Sequence, residues 1–365
     1  MSKFRVIAIY LPQFHPFPEN DEWWGKGFTE WTNVTKAKPR FKGHYQPHLP
    51  SDLGFYDLRL PEVREAQAEL AKEAGIYGFC YYHYWFNGKV LMERPLKEVL
   101  ENGKPDFPFM ICWANENWTR AWDGGENKIL IQQNYSDEDA RDHIKWLLPY
   151  LKDHRYIRIN NKPVIALYRT NIIPNLESMI RIWRNEALKE GLELYICRVE
   201  SNGAYGKEYL IDGLDAAIDF QPHNKRGFNK RKNILKRAVN KIHRKLFKGT
   251  GLFAILQDYN RYVDYIVKQD FPDYKQYPCI TPSWDNSPRR GRNYFAFKNS
   301  TPKKYYYWLK KILDKFKPYS KEENLIFINA WNEWAEGNHL EPDQKWGRAY
   351  LEETKKAIED AENES

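Results

Sequence analysis

Two glutamates near the C-terminus have the spacing that acid–base chemistry on a sugar would require. Glu336 follows Glu333 by three positions, so one turn of backbone can present both carboxyl groups to one cavity. Hydrolysis of a glycosidic bond normally uses two carboxyl groups, one to protonate the leaving oxygen and one to attack or stabilise from the other side. Two nearby carboxylates disfavour double ionisation, so one should keep its proton near neutral pH. The alternative is a pair of surface acids in a helix cap, but the adjacent Trp331 and Trp334 favour the catalytic interpretation.

Other candidate site residues follow short apolar runs that predict β-strands. Carboxylates and amides can bind sugar hydroxyl groups, and aromatic rings can stack on partly apolar ligands such as sugars. Glu116 and Glu200 could also act as an acid or a nucleophile, and Glu30 is a candidate contact to the substrate or to a loop. The predicted substrate-binding residues are His15, Trp31, His83, Tyr84, Trp85, Trp113, Asn115, Glu116, Trp118, Tyr168, Glu200, Trp284, Asp285, Trp331, Asn332 and Trp334.

Neither a metal nor a cofactor is expected from the sequence. A metal site would use His15, His83 and a carboxylate, but the histidines show no H-x-H or H-E-x-x-H spacing. We therefore expect these two histidines to form hydrogen bonds with the substrate or with a catalytic carboxylate. Acyl transfer and nucleotide chemistry lack their signatures, because the chain has no G-x-S-x-G, P-loop or G-x-G-x-x-G motif.

The elements that must position these residues alternate between strand and helix. Apolar runs predict strands over residues 5–10, 77–82, 107–113, 163–168, 194–199, 216–221, 277–282 and 325–330. Helical patterns lie between them, over residues 61–74, 95–100, 137–153, 174–190, 255–268, 302–316 and 347–359. Near-continuous apolar strands argue for a parallel sheet covered by helices. Eight such units predict one α/β domain over residues 1–365, a (β/α)8 TIM barrel with long βα loops, and the alternative is a doubly wound sheet.

Two segments interrupt this alternation, and long loops inside a compact fold are usually functional. Residues 14–59 form an aromatic loop after the first strand, and residues 222–256 form a basic insert after the sixth. Within the insert, residues 225–248 carry 11 Lys/Arg and no Asp/Glu, and four apolar residues recur along one helical face. Such a helix could lie on the barrel rim, on an anionic membrane surface, or on an acidic glycan.

The composition suits either a sugar or a single-stranded nucleic acid as the ligand. The chain has a net charge of +8, and Phe, Trp and Tyr make up 16% of its 365 residues. The basic insert accounts for the whole positive charge, because the remainder of the chain has a net charge of −3. The aromatic residues lie in the strand-end blocks and in the first loop, away from these charges. We therefore expect a poly- or oligosaccharide partner and no nucleic acid.

The four cysteines and the N-terminus point to a cytoplasmic protein. Cys80, Cys112, Cys197 and Cys279 each lie inside an apolar run and form no C-x-x-C pair, which predicts buried, reduced thiols. The N-terminus turns polar after one short apolar run, and no run of about 18 apolar residues occurs, so neither a signal peptide nor a spanning helix is expected. Peripheral membrane contact through residues 225–248 is compatible with this location.

Four long blocks carry a resemblance to a known family. They read IAIYLPQFHPFPENDEWWGKGFTEWTNV, GFCYYHYWF, CWANENWTRAWDG and INAWNEWAEGNHLEPD, and the resemblance extends from about residue 4 to about residue 360. The chain resembles the WbsX-like group, which is related to glycoside hydrolase family 99. The resemblance implies a (β/α)8 barrel, and members of the group are associated with cell-surface polysaccharide gene clusters and are sometimes labelled glycosyltransferases.

The resemblance also implies a mechanism. Family 99 enzymes cleave α-mannosidic bonds inside chains with retention and are similar in having E-x-x-E after the last strand. Carried onto this chain, Glu336 is the general acid/base, and Glu333 deprotonates the sugar 2-hydroxyl, which attacks the anomeric carbon. This sequence has Trp334-Ala335 between the glutamates, where the hydrolases more often carry Trp-His.

We expect a retaining, endo-acting glycoside hydrolase on a cell-surface-type glycan. The alternatives are a transferase in lipopolysaccharide, O-antigen or capsule biosynthesis and a non-catalytic glycan-binding barrel.

Overall fold

Eight parallel strands close into a barrel in the computed structural model, which describes residues 3–120, 125–222, 228, 235, 238–239, 241–243, 254–290 and 293–364. The barrel strands are β1 (Arg5–Tyr10), β2 (Gly78–Phe86), β3 (Phe109–Trp113), β4 (Lys162–Leu167), β5 (Tyr195–Glu200), β6 (Ala216–Asp219), β7 (Gln276–Tyr277 with Cys279–Ile280) and β8 (Leu325–Ile328). β8 pairs with both β1 and β7. The predicted (β/α)8 barrel is therefore confirmed, and the doubly wound alternative is wrong because the sheet closes on itself.

Strand β7 is divided at Pro278. Proline has no backbone N–H to donate, so it interrupts a ladder of strand hydrogen bonds. Gln276–Tyr277 pairs with β6, and Cys279–Ile280 pairs with β8. The Pro278 carbonyl still accepts a hydrogen bond of 2.8 Å from the Phe327 N–H, so the barrel stays closed across the interruption.

Helices follow the barrel strands and cover the outside of the sheet. In the described residues they are α1 (Pro18–Trp24), α2 (Glu30–Thr35), α3 (Pro61–Glu73), α4 (Arg94–Asn102), α5 (Asp137–Lys152), α6 (Leu176–Lys189), α7 (Tyr259–Ile266), α8 (Pro302–Lys315) and α9 (Ala349–Asn363). Local signals explain several of the starts. Ser136 caps α5 by accepting a 3.0 Å hydrogen bond from the Asp139 N–H, and Pro61 and Pro302 occupy first-turn positions.

One predicted helix begins later than expected. The sequence pattern predicts a helix over residues 255–268, but Ile255–Asp258 forms a strand that pairs in parallel with Phe295–Lys298. Helix α7 begins only at Tyr259, because Asp258 is its N-cap and accepts a 2.9 Å hydrogen bond from the Arg261 N–H. A short apolar run cannot by itself be assigned to a strand or to a helix, and here a tertiary partner strand decides.

The segment predicted as one long aromatic loop, residues 14–59, contains α1 and α2. Helix α2 contacts the short 3-10 turn Trp334–Glu336 that follows β8. Its Trp31 donates a 2.8 Å hydrogen bond from Nε1 to the Tyr56 carbonyl, which joins the two ends of the segment. The segment therefore forms a wall of ordered structure over the end of the barrel.

Short strand pairs complete the described structure at the ends of the barrel. Lys89–Leu91 pairs with the end of β2, and Arg158–Ile159 pairs with the start of β4. The remaining pairs are Trp118–Arg120 with Gly125–Ile131, and Asn332–Glu333 with Asn338–His339. We call residues 332–339, which include the turn between the last two strands, the acidic hairpin.

Most of the predicted basic insert, residues 222–256, lies outside the described residues, so its helix and its membrane contact stay predictions. Within the described chain, every helix is too short or too polar to cross a membrane. All four cysteines are free and buried, as the sequence predicts.

Candidate active site

A large cavity of about 1130 Å³ opens where the barrel strands end. Glu333 and Glu336 of the acidic hairpin lie in its wall, together with residues within β2 and residues that follow the other barrel strands. Its aromatic lining residues are Tyr82, Tyr84, Trp118, Tyr135, Tyr168, Phe220 and Trp284. Carboxyl groups surrounded by aromatic rings and amides form a surface that suits a polyhydroxylated ligand with apolar faces.

The acidic hairpin depends on a glycine to bring both glutamates to the cavity. Gly337 has φ +55°, a left-handed conformation that a residue with a Cβ adopts only with strain. A Cβ at this position would also lie 3.0 Å from the Asp285 Cβ. The close approach lets the Asp285 N–H donate a 2.5 Å hydrogen bond to the Glu336 carbonyl, so the loop after β7 holds the hairpin in place.

Arg289 connects both glutamates with a third carboxylate. Its Nη2 lies 2.9 Å from Glu333 Oε2, and its Nη1 lies 2.9 Å from Glu336 Oε1. The same guanidinium donates from Nε (3.1 Å) and Nη2 (2.8 Å) to Glu30 Oε2 in α2. Glu30 is fully buried, and its Oε1 accepts a 3.1 Å hydrogen bond from Asn33. Arg289 is therefore the centre of a charge cluster formed by three separate parts of the chain.

The surroundings of the two hairpin glutamates raise the pKa of both carboxyl groups. Burial raises the pKa of Glu333 to about 8, with Glu336 and Glu30 adding to the increase and Arg289 opposing it. Burial also raises the pKa of Glu336 above its usual value, again opposed by Arg289 and reinforced by Glu30. Three carboxyl groups contact the Arg289 guanidinium, and Arg290 adds a second positive charge near Glu336, so full ionisation would still leave excess negative charge in a confined space. These surroundings therefore favour retention of a proton on the pair at pH values where an isolated glutamate is ionised.

A second buried carboxyl group supports the hairpin from behind. Glu341 accepts hydrogen bonds from Trp334 Nε1 (2.6 Å), the Tyr56 hydroxyl (2.8 Å) and Gln67 Nε2 (2.6 Å). Burial raises the pKa of Glu341 to about 7, although these hydrogen bonds oppose the increase. Trp334 lies between the two glutamates in sequence, so this network fixes the turn that presents them.

Several residues predicted from the strand ends line the cavity. These are Glu333, Glu336, Tyr84, Glu116, Trp118, Tyr168 and Trp284. The Glu116 carboxylate is 46% exposed and forms an ion pair with Arg169, so it can reach a ligand in the cavity. The predicted catalytic pair and the predicted aromatic contacts are thus brought together, and their roles toward a substrate remain predictions.

The other predicted contacts lie outside the described cavity lining, and most of them form side-chain hydrogen bonds within the protein. They are His15, Trp31, His83, Trp85, Trp113, Asn115, Glu200, Asp285, Trp331, Asn332 and Trp334, and all are buried. For example, the Asn332 side chain bonds both the N–H and the carbonyl of Leu11. Asn115 likewise pairs with the backbone of Arg169. These residues support the lining residues, and none of them is among the cavity-lining residues that the structure describes.

Two of these buried carboxylates have protein partners that account for their charge. Asp285 accepts hydrogen bonds from His44 (2.6 Å), Gln46 (2.7 Å) and the Ser287 N–H (2.9 Å). The pKa of Asp285 is lowered because the hydrogen bonds from His44 and Gln46 outweigh the effect of burial. Glu200 lies 3.2 Å from Arg198, and both side chains are fully buried.

The sequence interpretation missed Arg289, the residue that joins the charge cluster. Arg289 follows the SWDNSP block after β7, so its position just past a strand end was the available signal. It also missed Tyr82, Gln13, Asn286 and Asn329, which line the cavity. Among the described residues, three side chains come close enough together to hold a metal ion, and they lie apart from the cavity lining: His48, His339 and Asp343.

Comparison with solved structures supports the fold. A glycoside hydrolase-like protein has a TM-score of 0.58 at 15% identity, with 98% of this chain and 94% of that chain covered. The family 99 endo-α-mannosidase of Bacteroides thetaiotaomicron has a TM-score of 0.55 at 14% identity, with 98% of each chain covered. At these identities, the likeness shows a shared barrel fold.

Comparison of sequences identifies the family. Residues 6–354 match the family described as glycosyltransferase WbsX. The uncharacterized protein WxcX of Xanthomonas campestris pv. campestris is 38% identical over 355 residues in each of two strains. The alignment covers 97% of this chain and 49% of WxcX, so the chain spans about half the length of the curated relatives it matches. The match over nearly the whole sequence shows that the chain belongs to the family described as glycosyltransferase WbsX.

Proposed function

We propose that the chain is a retaining glycoside hydrolase that cleaves within a cell-surface-type poly- or oligosaccharide. The observation that carries this proposal is the Glu333–Glu336 pair, which lies in the wall of the large cavity and has the pKa of both carboxyl groups raised by burial. A glycosidase needs one carboxyl group in its acid form and one in its base form at the same pH. Two neighbouring carboxyl groups with raised pKa values suit that requirement, because ionisation of one disfavours ionisation of the other.

In the proposed mechanism, the two glutamates have different tasks. Glu336 protonates the leaving glycosidic oxygen while Glu333 removes the proton of the sugar 2-hydroxyl, and the 2-oxygen attacks the anomeric carbon as the glycosidic bond breaks. Water then opens the resulting three-membered ring at the anomeric carbon. In this second step Glu336 takes the proton of the water and Glu333 returns its proton to the 2-oxygen. Two inversions at one carbon give net retention, and α-mannosides are the substrates that the family resemblance suggests.

Arg289 has a positioning task in this proposal. Its guanidinium bonds Glu333 and Glu336 at once, so it fixes the distance between the acid and the base. Its positive charge also opposes the effect of burial on the pKa of both carboxyl groups. Glu30 in turn holds Arg289 from the buried side.

The pH dependence of the rate tests this electrostatic arrangement. We expect kcat/KM to fall at alkaline pH as Glu336 loses the proton that it must donate, and burial places its pKa above the usual value of a glutamate. Glu30→Gln removes a negative charge that raises both pKa values, so the alkaline limb should move to lower pH. Arg289→Gln removes the opposing positive charge, so the alkaline decline should begin at higher pH, and the maximal rate should be lower.

The control Arg181→Gln changes an arginine whose described contact is Ser178, and it should leave the alkaline decline at the pH of the wild type. Shifts of the same sign in both cluster variants would contradict the assignment.

Glycosyl transfer is the second candidate, and the description of the family favours it. A transferase that uses a nucleotide sugar commonly needs an acidic motif for the diphosphate and its metal ion. The D-x-D triplet of the chain, Asp137-Glu138-Asp139, forms the first turn of α5, and the Asp139 carboxylate accepts a 2.8 Å hydrogen bond from Trp85. Neither aspartate lines the large cavity. We therefore rank hydrolysis first.

A glycan-library digest with mass detection distinguishes these candidates. Hydrolysis predicts shorter glycans that each gain one water, and internal cleavage predicts fragments of several sugars. The wild type should release such products, Glu336→Gln should release none, and the exposed Glu69→Gln should match the wild type. Products that appear only when a nucleotide sugar is added would instead establish the transferase. Glycan binding without any product would establish a binding barrel.

A further inference from the structure

A second group of convergent side chains lies apart from the large cavity. His48 Nδ1 is 2.9 Å from His339 Nε2, and His339 Nε2 is 3.8 Å from Asp343 Oδ2. All three ligand atoms lie within 4.8 Å of one another, and all three residues are buried. None of them is among the residues that line the large cavity. The group therefore needs an explanation that is separate from glycan cleavage.

The tautomer of His339 is determined by its surroundings. Its Nδ1 lies 2.9 Å from the Glu341 carbonyl oxygen, which can only accept a hydrogen bond, so Nδ1 carries the hydrogen. In the neutral ring, Nε2 must then present a lone pair toward His48 and Asp343. A histidine that donates one nitrogen to a carbonyl and directs the other toward a carboxylate has the arrangement of a metal ligand with its supporting contact.

Asp343 is oriented by its own backbone contacts. Its Oδ1 accepts hydrogen bonds from the N–H groups of Lys345 (2.9 Å) and Trp346 (2.6 Å). These bonds direct Oδ2 toward the His339 nitrogen. Two acceptors, the carboxylate oxygen and the imidazole lone pair, thus face each other next to His48. Two neutral imidazole rings and a carboxylate are a common ligand set for zinc.

Tyr45 lies at the same place. Its ring stacks on His48 with a centroid distance of 4.2 Å. Its hydroxyl is buried and lies beside Asp343. The phenol therefore adds a further polar group to the surroundings of the three convergent ligands.

The other buried histidine pair shows what a simple imidazole contact looks like in this protein. His83 Nε2 and His143 Nε2 are also 2.9 Å apart, and both rings are packed against tryptophans. Among the described residues, no third ligand joins this pair. The two pairs have the same nitrogen–nitrogen distance, and the convergent carboxylate is what distinguishes the pair formed by His48 and His339.

We propose that His48, His339 and Asp343 form a structural site for a divalent transition-metal ion of the zinc type. His48 belongs to the long segment after β1, whereas His339 ends the acidic hairpin. The same two parts of the chain already meet through backbone hydrogen bonds from Gln344 to Leu49 (2.9 Å) and from Ser51 to Pro342 (3.0 Å). A bound ion joins these two parts of the chain at one further point through coordination bonds.

The ion also bears on the position of the two glutamates. The His339 ring stacks on Trp334 with a centroid distance of 3.8 Å and an interplanar angle of 14°. Trp334 is one of the two residues between Glu333 and Glu336, so fixing His339 helps to fix the turn. This site departs from the expectation of no metal because its first ligand precedes the second by 291 residues, a separation that no local motif reports.

The test uses tag-free full-length protein that has been stripped with a chelator and titrated with Zn²⁺ or Co²⁺. We expect one ion per chain by calorimetry, a higher melting temperature with Zn²⁺, and visible Co²⁺ absorption typical of a four-coordinate site. Asp343→Asn keeps an oxygen for the two backbone N–H groups and removes the charge, and we expect it to weaken binding by about 100-fold or more. His48→Gln tests a second ligand in a separate segment, in case one variant fails to fold.

Two controls make the outcome decisive. His154→Gln changes an exposed histidine, so its stoichiometry and affinity should equal those of the wild type. His143→Gln changes the buried pair without a carboxylate, and a folded variant should keep the metal site. The proposal fails if the stripped wild type binds no stoichiometric ion, or if Asp343→Asn and His48→Gln bind as the wild type does. None of these measurements depends on glycan cleavage.

Discussion

Replacing Glu336 by glutamine should lower kcat/KM for glycan cleavage by about 1000-fold or more and leave the fold intact. Glutamine has the size of glutamate and can still contact Arg289, but it cannot donate a proton to the leaving oxygen. Loss of a general acid or base typically costs about 100- to 10,000-fold. Glu333→Gln should cause a comparable loss, because the amide cannot remove the proton of the 2-hydroxyl.

The leaving group separates the roles of the two glutamates. An aryl glycoside with an acidic phenol leaves without help from a proton, so Glu336→Gln should recover much of its lost rate on such a substrate. Glu333→Gln should show the same loss on the aryl glycoside and on the natural linkage, since the attack on the anomeric carbon is still impaired. Steady-state kinetics on both substrates, with Glu69→Gln as the control, measure this difference. Full activity in both active-site variants would rule out the assigned pair, and recovery by Glu333→Gln instead would exchange their roles.

Replacing Glu200 by alanine should destabilise the protein by about 3–5 kcal/mol, because it leaves a buried arginine without its counter-charge. Arg198 and Glu200 are both fully buried, with 3.2 Å between Nη1 and Oε1. Glu200 also accepts hydrogen bonds from the Tyr274 hydroxyl (2.7 Å) and the Gly206 N–H (3.0 Å). The carboxylate therefore has all its contacts within the protein, although its place at the end of β5 makes it resemble a sugar contact in the sequence.

Urea unfolding compares this variant with a matched strand-end glutamate. Glu116→Ala removes a half-exposed carboxylate whose ion pair with Arg169 is at the cavity surface, so we expect a stability change below about 1 kcal/mol. That variant should instead raise KM if Glu116 contacts the glycan. The combined change Arg198→Met with Glu200→Leu should recover part of the loss, because it removes both buried charges. A small stability change in Glu200→Ala together with a raised KM would instead assign Glu200 to substrate binding.

The amino-acid sequence by itself determined the barrel. Each strand is an apolar run, and β1 has the predicted bounds Arg5–Tyr10. The cysteines Cys80, Cys112, Cys197 and Cys279 are buried as their apolar neighbours predicted. The spacing of Glu333 and Glu336 was also sufficient to place both in one cavity wall, because three positions are one turn of backbone.

Only the tertiary structure decided which strand-end residues face the cavity. Trp284 and Asp285 are adjacent, yet the first lines the cavity and the second bonds His44 and Gln46 in the long segment. Trp331, Asn332 and Trp334 are likewise buried and are absent from the described cavity lining, although Glu333 and Glu336 beside them belong to it. Sequence gives residue type and approximate position, but the direction of a side chain in an irregular loop depends on the partners that the loop meets.

The sequence also could not predict two clusters of charged or polar side chains, the one around Arg289 and the one that contains His48 and His339. Glu30 and Arg289 are 259 residues apart, and His48 and His339 are 291 apart. No local spacing reports such pairs. They meet because the closed barrel brings the loops after β1, β7 and β8 to the same end, and burial there makes a counter-charge or a hydrogen-bond partner necessary for each polar group. The sequence therefore determined the chemical groups and the scaffold, and the closure of the barrel determined which groups act together.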